Sequence, residues 1–377
     1  MGAGRSDHVW TNDIENTEEI HSRILSVFHF FRNTITFLGH SEKPILRTSA
    51  RRSKIKQNDQ KRMIGEMKME NKRTLKWYHG ILVLALVLAS MFFVTPIFAG
   101  SLGFYASFVG EMFFLLASVF TVLIAGGDFK KVFPFSMPRI SKVFGTLIMW
   151  LGSFLAVMGL TILMTYFFPE EVTEIGSSLN AQFTSVPFLA SLFVVAVSPA
   201  VCEEAVFRGV LLRSIYTDRW KWAAIFISGL VFGFFHGGFR WVPTAFLGWV
   251  LAYICLETGN IFYSMLFHFV NNAVPLFVAF SSSQMLTEAA SQEAALETIP
   301  IASVGIYMVF AAGAPMLLYI GSYLLHKGDV GAQKELFGKE KQTTFILLLV
   351  LTFAIAVVGL IIFFTGVRMQ PELFGQF

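Results

Sequence analysis

The fold class predicted by this sequence is an all-α polytopic membrane protein, a bundle of about eight to nine transmembrane helices. Three observations predict it: an apolar composition, apolar runs of spanning length, and charge that alternates from loop to loop. Of 377 residues, 55% are hydrophobic and only 14% charged, with 42 Phe, and the mean hydropathy is +0.62. A soluble domain carries roughly 25% charged residues, and this apolar surplus is too large for one globular core. The bilayer is therefore the solvent for much of the chain, which excludes an ordinary soluble enzyme. Cys202 and Cys255 both fall inside apolar runs, where thiols act as small hydrophobes, and no disulfide framework follows.

Residues 1–76 precede the first apolar run and read as a basic, polar cytoplasmic extension. Residues 1–80 hold 15 Lys and Arg against 9 Asp and Glu, and 12 of those cations lie between Lys43 and Lys76. Such a cluster beside a first span is a positive-inside flank. No base-reading or stacking motif accompanies it, so nucleic-acid binding is not expected. Ile20, Ile24, Val27, Phe28, Phe31, Ile35 and Leu38 recur at helical spacing, a weak amphipathic signal. The favoured expectation is a loosely ordered arm or an over-called start, with Met63, Met67 and Met69 as alternative first residues.

Apolar runs then follow near 79–100, 102–125, 143–168, 186–212, 221–238, 241–256, 260–281, 301–325 and 343–366. A crossing takes about 20 helical residues. The sixth run is the short one, and only Gly237 to Arg240 separate the fifth from the sixth, so eight spans or a re-entrant segment is the alternative to nine. Loop charge gives an independent test, because Lys and Arg gather in every second loop of a membrane protein. Lys130, Lys131, Arg139 and Lys142 follow the second run, Arg213, Arg219 and Lys221 the fourth, and Lys327, Lys334, Lys339 and Lys341 the eighth. The loops between carry Glu170, Glu171 and Glu174, then Glu288, Glu293 and Glu297, with no cation. Nine spans with a cytoplasmic N-terminus satisfy all of these.

A charge facing lipid costs at least about 2.5–3.5 kcal/mol, so each ionisable residue within a span is a functional hypothesis. Glu111 stands alone in the second run and is expected to partner Arg208 or water. Glu203, Glu204, Arg208, His236 and His268 cluster in the fourth, fifth and seventh. Adjacent glutamates on a helix point about 100° apart, so Glu203 and Glu204 have different roles. Arg208 follows Glu204 by four residues and pairs with it on one face, which leaves Glu203 free. His268 and Asn272 are also four apart and share a face. Counting about 1.5 Å per residue from each predicted turn sets Glu203, His236 and Asn272 at one depth, with Pro199 placed to kink the fourth span. Gly229, Gly233 and Ser228 read as close helix packing. On spacing alone, three uses of the cluster stand side by side: helix locking, a proton or ion pathway, and catalysis.

At these residues the sequence resembles the CAAX protease and bacteriocin-processing family of intramembrane proteases, also called the Abi family. EEAVFR at Glu203 to Arg208 fits its Glu-Glu-x-x-x-Arg, FGFFH at Phe232 to His236 its Phe-x-x-x-His, and HFVNN at His268 to Asn272 its His-x-x-x-Asn. The resemblance implies a catalytic core at 183–281, with N-terminal transmembrane helices over 77–182 and C-terminal ones over 282–377, around a conical central cavity. It implies an endopeptidase in which Glu203 and His236 activate water, His268 and Asn272 hold the oxyanion, and Glu204 and Arg208 support them. A metal-free, glutamate-dependent mechanism is the preferred expectation. Zinc is the alternative, on His236, His268 and Glu203, whose types match a His₂Glu site. The expected partners are the bilayer and a membrane protein or lipidated, CAAX-like peptide as substrate, in a bacterial plasma membrane. A proton- or ion-coupled transporter and a non-catalytic scaffold are the alternative functions.

Overall fold

The computed structural model describes residues 74–282, 299–329, 331–333 and 335–370. The amphipathic stretch from Ile20 to Leu38, most of the basic flank, the acidic residues Glu288, Glu293 and Glu297, and Lys334 lie outside the described residues. Among those described, all regular structure is helical. In chain order the helices are α1 (Trp77–Ala89), α2 (Thr95–Leu102), α3 (Ala106–Ala125), α4 (Phe129–Val132), α5 (Ile140–Phe167), α6 (Pro169–Thr184), α7 (Phe188–Ser191), α8 (Ser198–Glu204), α9 (Leu212–Ile215), α10 (Lys221–His236), α11 (Trp241–Thr258), α12 (Ile261–Ser282), α13 (Ile301–Ala311), α14 (Ala314–His326) and α15 (Gln342–Met369). π-helical turns at Ser90–Val94, Leu192–Val197 and Ala205–Leu211 join α1 to α2, α7 to α8 and α8 to α9.

Seven helical stretches are long and apolar enough to cross a membrane. The first, Trp77–Ala125, is 49 residues long and turns at Gly103, whose φ of +53° suits a residue without Cβ. Its arms meet where Thr95 lies against the Cα of Gly110. The fifth predicted span is α10, 16 residues, and the sixth, expected to be the short one, is longer at 18 residues as α11. Gly237 and Gly238, at φ +59° and +53°, end α10 at His236. The predicted acidic loop after the third span is instead helix α6. Pro169 opens it, and Glu170 and Glu171 occupy its first turn, where proline fits and negative charge faces the unpaired N–H groups.

Two compact units are distinguished, residues 1–75 with 119–132, and 76–118 with 133–377. In the first, Asp128 Oδ1 accepts the Lys130 N–H at 3.0 Å and opens α4. The second holds every residue discussed from here on. Its helices close on small residues. Gly145, Gly152 and Gly159, seven apart on one face of α5, meet Gly321 and Leu317 of α14 and Ala311 of α13. A Cβ on Gly145 would stand 2.8 Å from the Gly321 carbonyl oxygen, too close without moving backbone. Between α10 and α11 a Cβ on Gly248 would stand 2.7 Å from Gly229 Cα, and Gly233 is covered by Ala245. Trp249 Nε1 donates to the Phe226 carbonyl at 3.0 Å. The expected packing role of Gly229, Gly233 and Ser228 is met, with Ser228 donating to the Phe207 carbonyl at 3.4 Å.

The basic segments gather at one end of this unit. Asp329 accepts from Lys142 at 2.7 Å and from Arg139 at 3.0 Å. Asn260 Nδ2 donates to the Ser136 carbonyl at 2.9 Å, and Glu257 pairs with Lys221 and with His326.

Candidate active site

The site is built on the helical stretch Phe188–Ile215, on α10, α11 and α12, and on α3. Glu204 and Arg208 pair as their spacing predicts, at 3.1 Å with neither side chain exposed. Arg208 also donates to the Gly248 carbonyl at 3.3 Å and lies 4.3 Å from the centre of the Phe232 ring. Glycine at 248 keeps that carbonyl within reach, since α11 approaches α10 there at backbone contact.

Glu204 has a second partner that spacing did not reveal. Its Oε1 accepts a hydrogen bond from His268 Nδ1 at 3.0 Å, across 64 residues of sequence. The His268 Nε2 then faces Glu203, 3.8 Å from Oε2. Adjacent glutamates therefore face the two nitrogens of one imidazole, Glu204 in hydrogen-bond contact and Glu203 at a longer distance, and their 100° separation on the helix is what lets them do so. The Phe232 ring packs perpendicular to His268, with ring centres 5.8 Å apart.

His236 closes α10. With a carbonyl oxygen, that of Phe232, 2.9 Å from Nδ1, the ring must donate from Nδ1, so the neutral form keeps its lone pair at Nε2. Glu203, His268 and Arg240 are its ionisable neighbours. Asn272 Nδ2 donates to the Val195 carbonyl at 3.0 Å, and Asn271 Nδ2 donates to Asn272 Oδ1 at 3.3 Å. The first bond has a local origin. Val195 is four residues before Pro199, which has no N–H to return to it, and it sits in a π-helical turn, where carbonyls depart from the regular ladder. Pro199 does not break the span; it leaves a carbonyl for Asn272. Pro275 inside α12 likewise gives no N–H to Asn271. Sequence reading missed Asn271 and Thr244; the doubled Asn of HFVNN and the proline four residues later were the available signals.

A cavity of about 100 Å³ lies between these helices, lined by Phe232, His236, Thr244, His268, Asn271 and Asn272 among others. It has room for a few waters. Glu111 does not meet Arg208, as was expected of it, because Glu204, Gly248 and Phe232 already surround the guanidinium. Its ionisable neighbour is instead Glu203, and Oε2 of each is shielded from solvent without a hydrogen-bond partner among the described residues. Among the described residues, no three His, Cys, Asp or Glu side chains form a metal-holding group. Glu203, His236 and His268 are neighbours, with Nδ1 of His268 engaged by Glu204 and Nδ1 of His236 by the Phe232 carbonyl.

Residues 185–274 match the family model described as type II CAAX prenyl endopeptidase Rce1-like. Over this segment the chain is similar to the CAAX-protease family, in agreement with the three motifs. No curated protein and no solved structure matches it. The matched residues include all three motifs and their partners Asn271 and Thr244, while Glu111 lies outside them. The activity that accompanies the family is, in general terms, that of a CAAX-type intramembrane protease acting on membrane-associated substrates within the bilayer.

Proposed function

We propose that this chain is an endopeptidase whose Glu203 activates water against a peptide bond inside the membrane, without a metal. The observation that carries the reading is that His236, His268 and Asn272 line one small cavity between the helices, with Glu203 Oε2 3.8 Å from His268 Nε2 beside it. The Glu203 carboxylate takes a proton from water as the water oxygen attacks the scissile carbonyl carbon. His236, its Nδ1–H committed to Phe232, accepts the second hydrogen of that water at Nε2 and orients it. The carbonyl π electrons move onto oxygen, where the remaining N–H of Asn272 and the Nε2–H of His268 receive the charge. His268 donates from both nitrogens only as an imidazolium, and the Glu204 carboxylate at its Nδ1 balances that charge. As the C–N bond breaks, Glu203 returns its proton to the leaving amine. Geometry first, then basicity, selects the base, and fixed donors at the oxyanion are worth about 2.7–4 kcal/mol.

The substrate class is a membrane-associated or lipidated, CAAX-like protein or peptide. Loop charge supports an orientation with the Asp329 and Lys142 end in the cytoplasm of a bacterial plasma membrane. The test is cleavage of a fluorogenic farnesylated CAAX peptide by the full chain in proteoliposomes. Wild type cleaves it, whereas Glu203→Gln, present at wild-type level, loses roughly 10²–10⁴-fold in rate. Ion flux that follows a pH gradient, with no cleavage product, is the result that overturns the reading in favour of transport.

A further inference from the structure

The reaction proposed above leaves one group of the scissile peptide bond without a partner. A trans peptide is planar, with its N–H and C=O pointing in opposite directions. When the carbonyl oxygen turns to the donors of His268 and Asn272, both on α12, the N–H of the same bond points to the walls that α10 and α11 build. Inside the cavity that N–H must find an acceptor or remain an unpaired donor. The candidates are few. From α10 come Phe232 and His236, and from α11 come Thr244, Leu247 and Leu251. The phenylalanine and the leucines have no polar side-chain atom, and the free nitrogen of His236 holds the attacking water, which leaves Thr244. Its hydroxyl is available. Thr146, Thr165, Thr173, Thr184 and Thr258 each donate to the carbonyl four residues back, at 2.7–2.9 Å, the usual resting bond of a helical threonine. Thr244, half-buried on α11, makes no such bond among the described residues. Trp241 and Ala245, on either side of it in sequence, pack on Gly233, so Thr244 stands level with the last turn of α10, the turn that ends in His236.

We propose that Thr244 is a substrate-binding residue whose Oγ1 accepts the N–H of the scissile peptide bond, a role that rests on the endopeptidase reading above. This hydrogen bond fixes more than the position of the substrate. As water adds to the carbonyl carbon, the nitrogen becomes pyramidal and gains a lone pair. An N–H held by Thr244 turns that lone pair away from α11 and leaves it for a donor on another element. Glu203, on α8 and beside His268, is such a donor. The proton balance is unaltered: one hydrogen passes from water to Glu203 and on to the nitrogen as the C–N bond breaks, and the Thr244 hydroxyl keeps its own. Asn271, the other side chain of the cavity outside the three motifs' named positions, is on α12 with the oxyanion donors and so stands on the carbonyl side of the bond.

The test uses the full chain in proteoliposomes with two reporters: the fluorogenic farnesylated CAAX peptide, and its analogue in which the scissile amide is an ester and so has no N–H to give. Thr244→Val keeps the shape of the side chain and removes the hydroxyl, Thr244→Ser keeps the hydroxyl, and Thr244→Ala stands in for valine should that variant fold poorly. On the peptide, Thr244→Val loses roughly 10–100-fold in kcat/KM, the effect of leaving a buried donor unpaired, and Thr244→Ser recovers to within about threefold of wild type. On the ester, Thr244→Val and wild type differ by less than about threefold, because the group that the hydroxyl would accept from is gone. A merely structural Thr244 would lower the two reporters alike. Equal losses on peptide and ester, an undiminished rate on the peptide, or a Thr244→Ser no better than Thr244→Val overturns the inference. Glu203→Ala is measured alongside. If wild type cleaves neither reporter, or Glu203→Ala cleaves both at the wild-type rate, the proposed function falls and the role of Thr244 with it. If wild type cleaves, Glu203→Ala does not, and Thr244→Val shows no difference between the reporters, only the role of Thr244 falls.

Discussion

Replacing Arg208 by alanine withdraws a guanidinium from a fully buried position between Glu204, the Gly248 carbonyl and the Phe232 ring. Breaking a buried pair from one side costs about 3–5 kcal/mol, because the remaining charge is left without compensation. Two features of the site move this estimate in opposite directions. Glu204 keeps the His268 Nδ1–H at 3.0 Å, which places the ionic loss near the lower end. The ring contact adds about 1–2 kcal/mol, and the emptied volume adds more. A net loss of about 4 kcal/mol is expected, roughly a thousandfold in the folded ratio. The assay is thermal melting and monodisperse yield of the purified full chain in detergent, compared with the double variant Glu204→Gln, Arg208→Met. Removing both charges together restores most of the stability, since a buried pair replaced by matched neutral groups costs little. An Arg208→Ala protein that melts with wild type would refute the pairing argument, and a double variant no better than the single would refute its electrostatic origin.

Asn272→Ala is expected to lower kcat about 10²–10³-fold with KM little changed, and Asn271→Ala to lower it less, because Asn271 only fixes the orientation of the Asn272 amide; steady-state kinetics on the peptide reporter separate the two. Exhaustive treatment with a membrane-permeant chelator leaves activity intact, and inactivation reversed by added zinc would show that a metal takes part. The Lys142 ammonium, and beside it Arg139, hold the Asp329 carboxyl below its ordinary value. A carboxylate stabilised in this way contributes fully above its unfolded pKa of about 3.9, and that contribution is lost as pH falls through the lower folded value. Melting temperature of wild type therefore drops relative to Asp329→Asn as pH goes below about 4, and parallel profiles would remove Asp329 from the account.

The helical layout was legible in the sequence because apolar run length and loop charge report it directly. The Glu204 and Arg208 pair was legible because four residues make one turn. What stayed hidden were contacts between distant helices. Nothing local in EEAVFR announces that His268 will bind Glu204, or that Glu111, 92 residues earlier than Glu203, will be its neighbour. The count of residues per turn also assumes a regular ladder, and the turns at Leu192–Val197 and Ala205–Leu211 are π-helical, so face assignments drift on either side of the two glutamates. The acidic segment after the third span looked like a loop because its charge was read for topology; its proline and paired glutamates were helix-start signals as well.

Phe232 touches three members of the site at once, lying 4.3 Å from the Arg208 guanidinium, 4.6 Å from the His236 ring and 5.8 Å from the His268 ring between centroids. One ring therefore packs against a permanent charge and against both imidazoles of the site. An aliphatic residue would fill the volume but present no negative π face to the cation, and a tyrosine would bring a hydroxyl that competes for the water. The benzene ring thus gives a buried cation an apolar surface that still attracts it, where the ion pair with Glu204 ends.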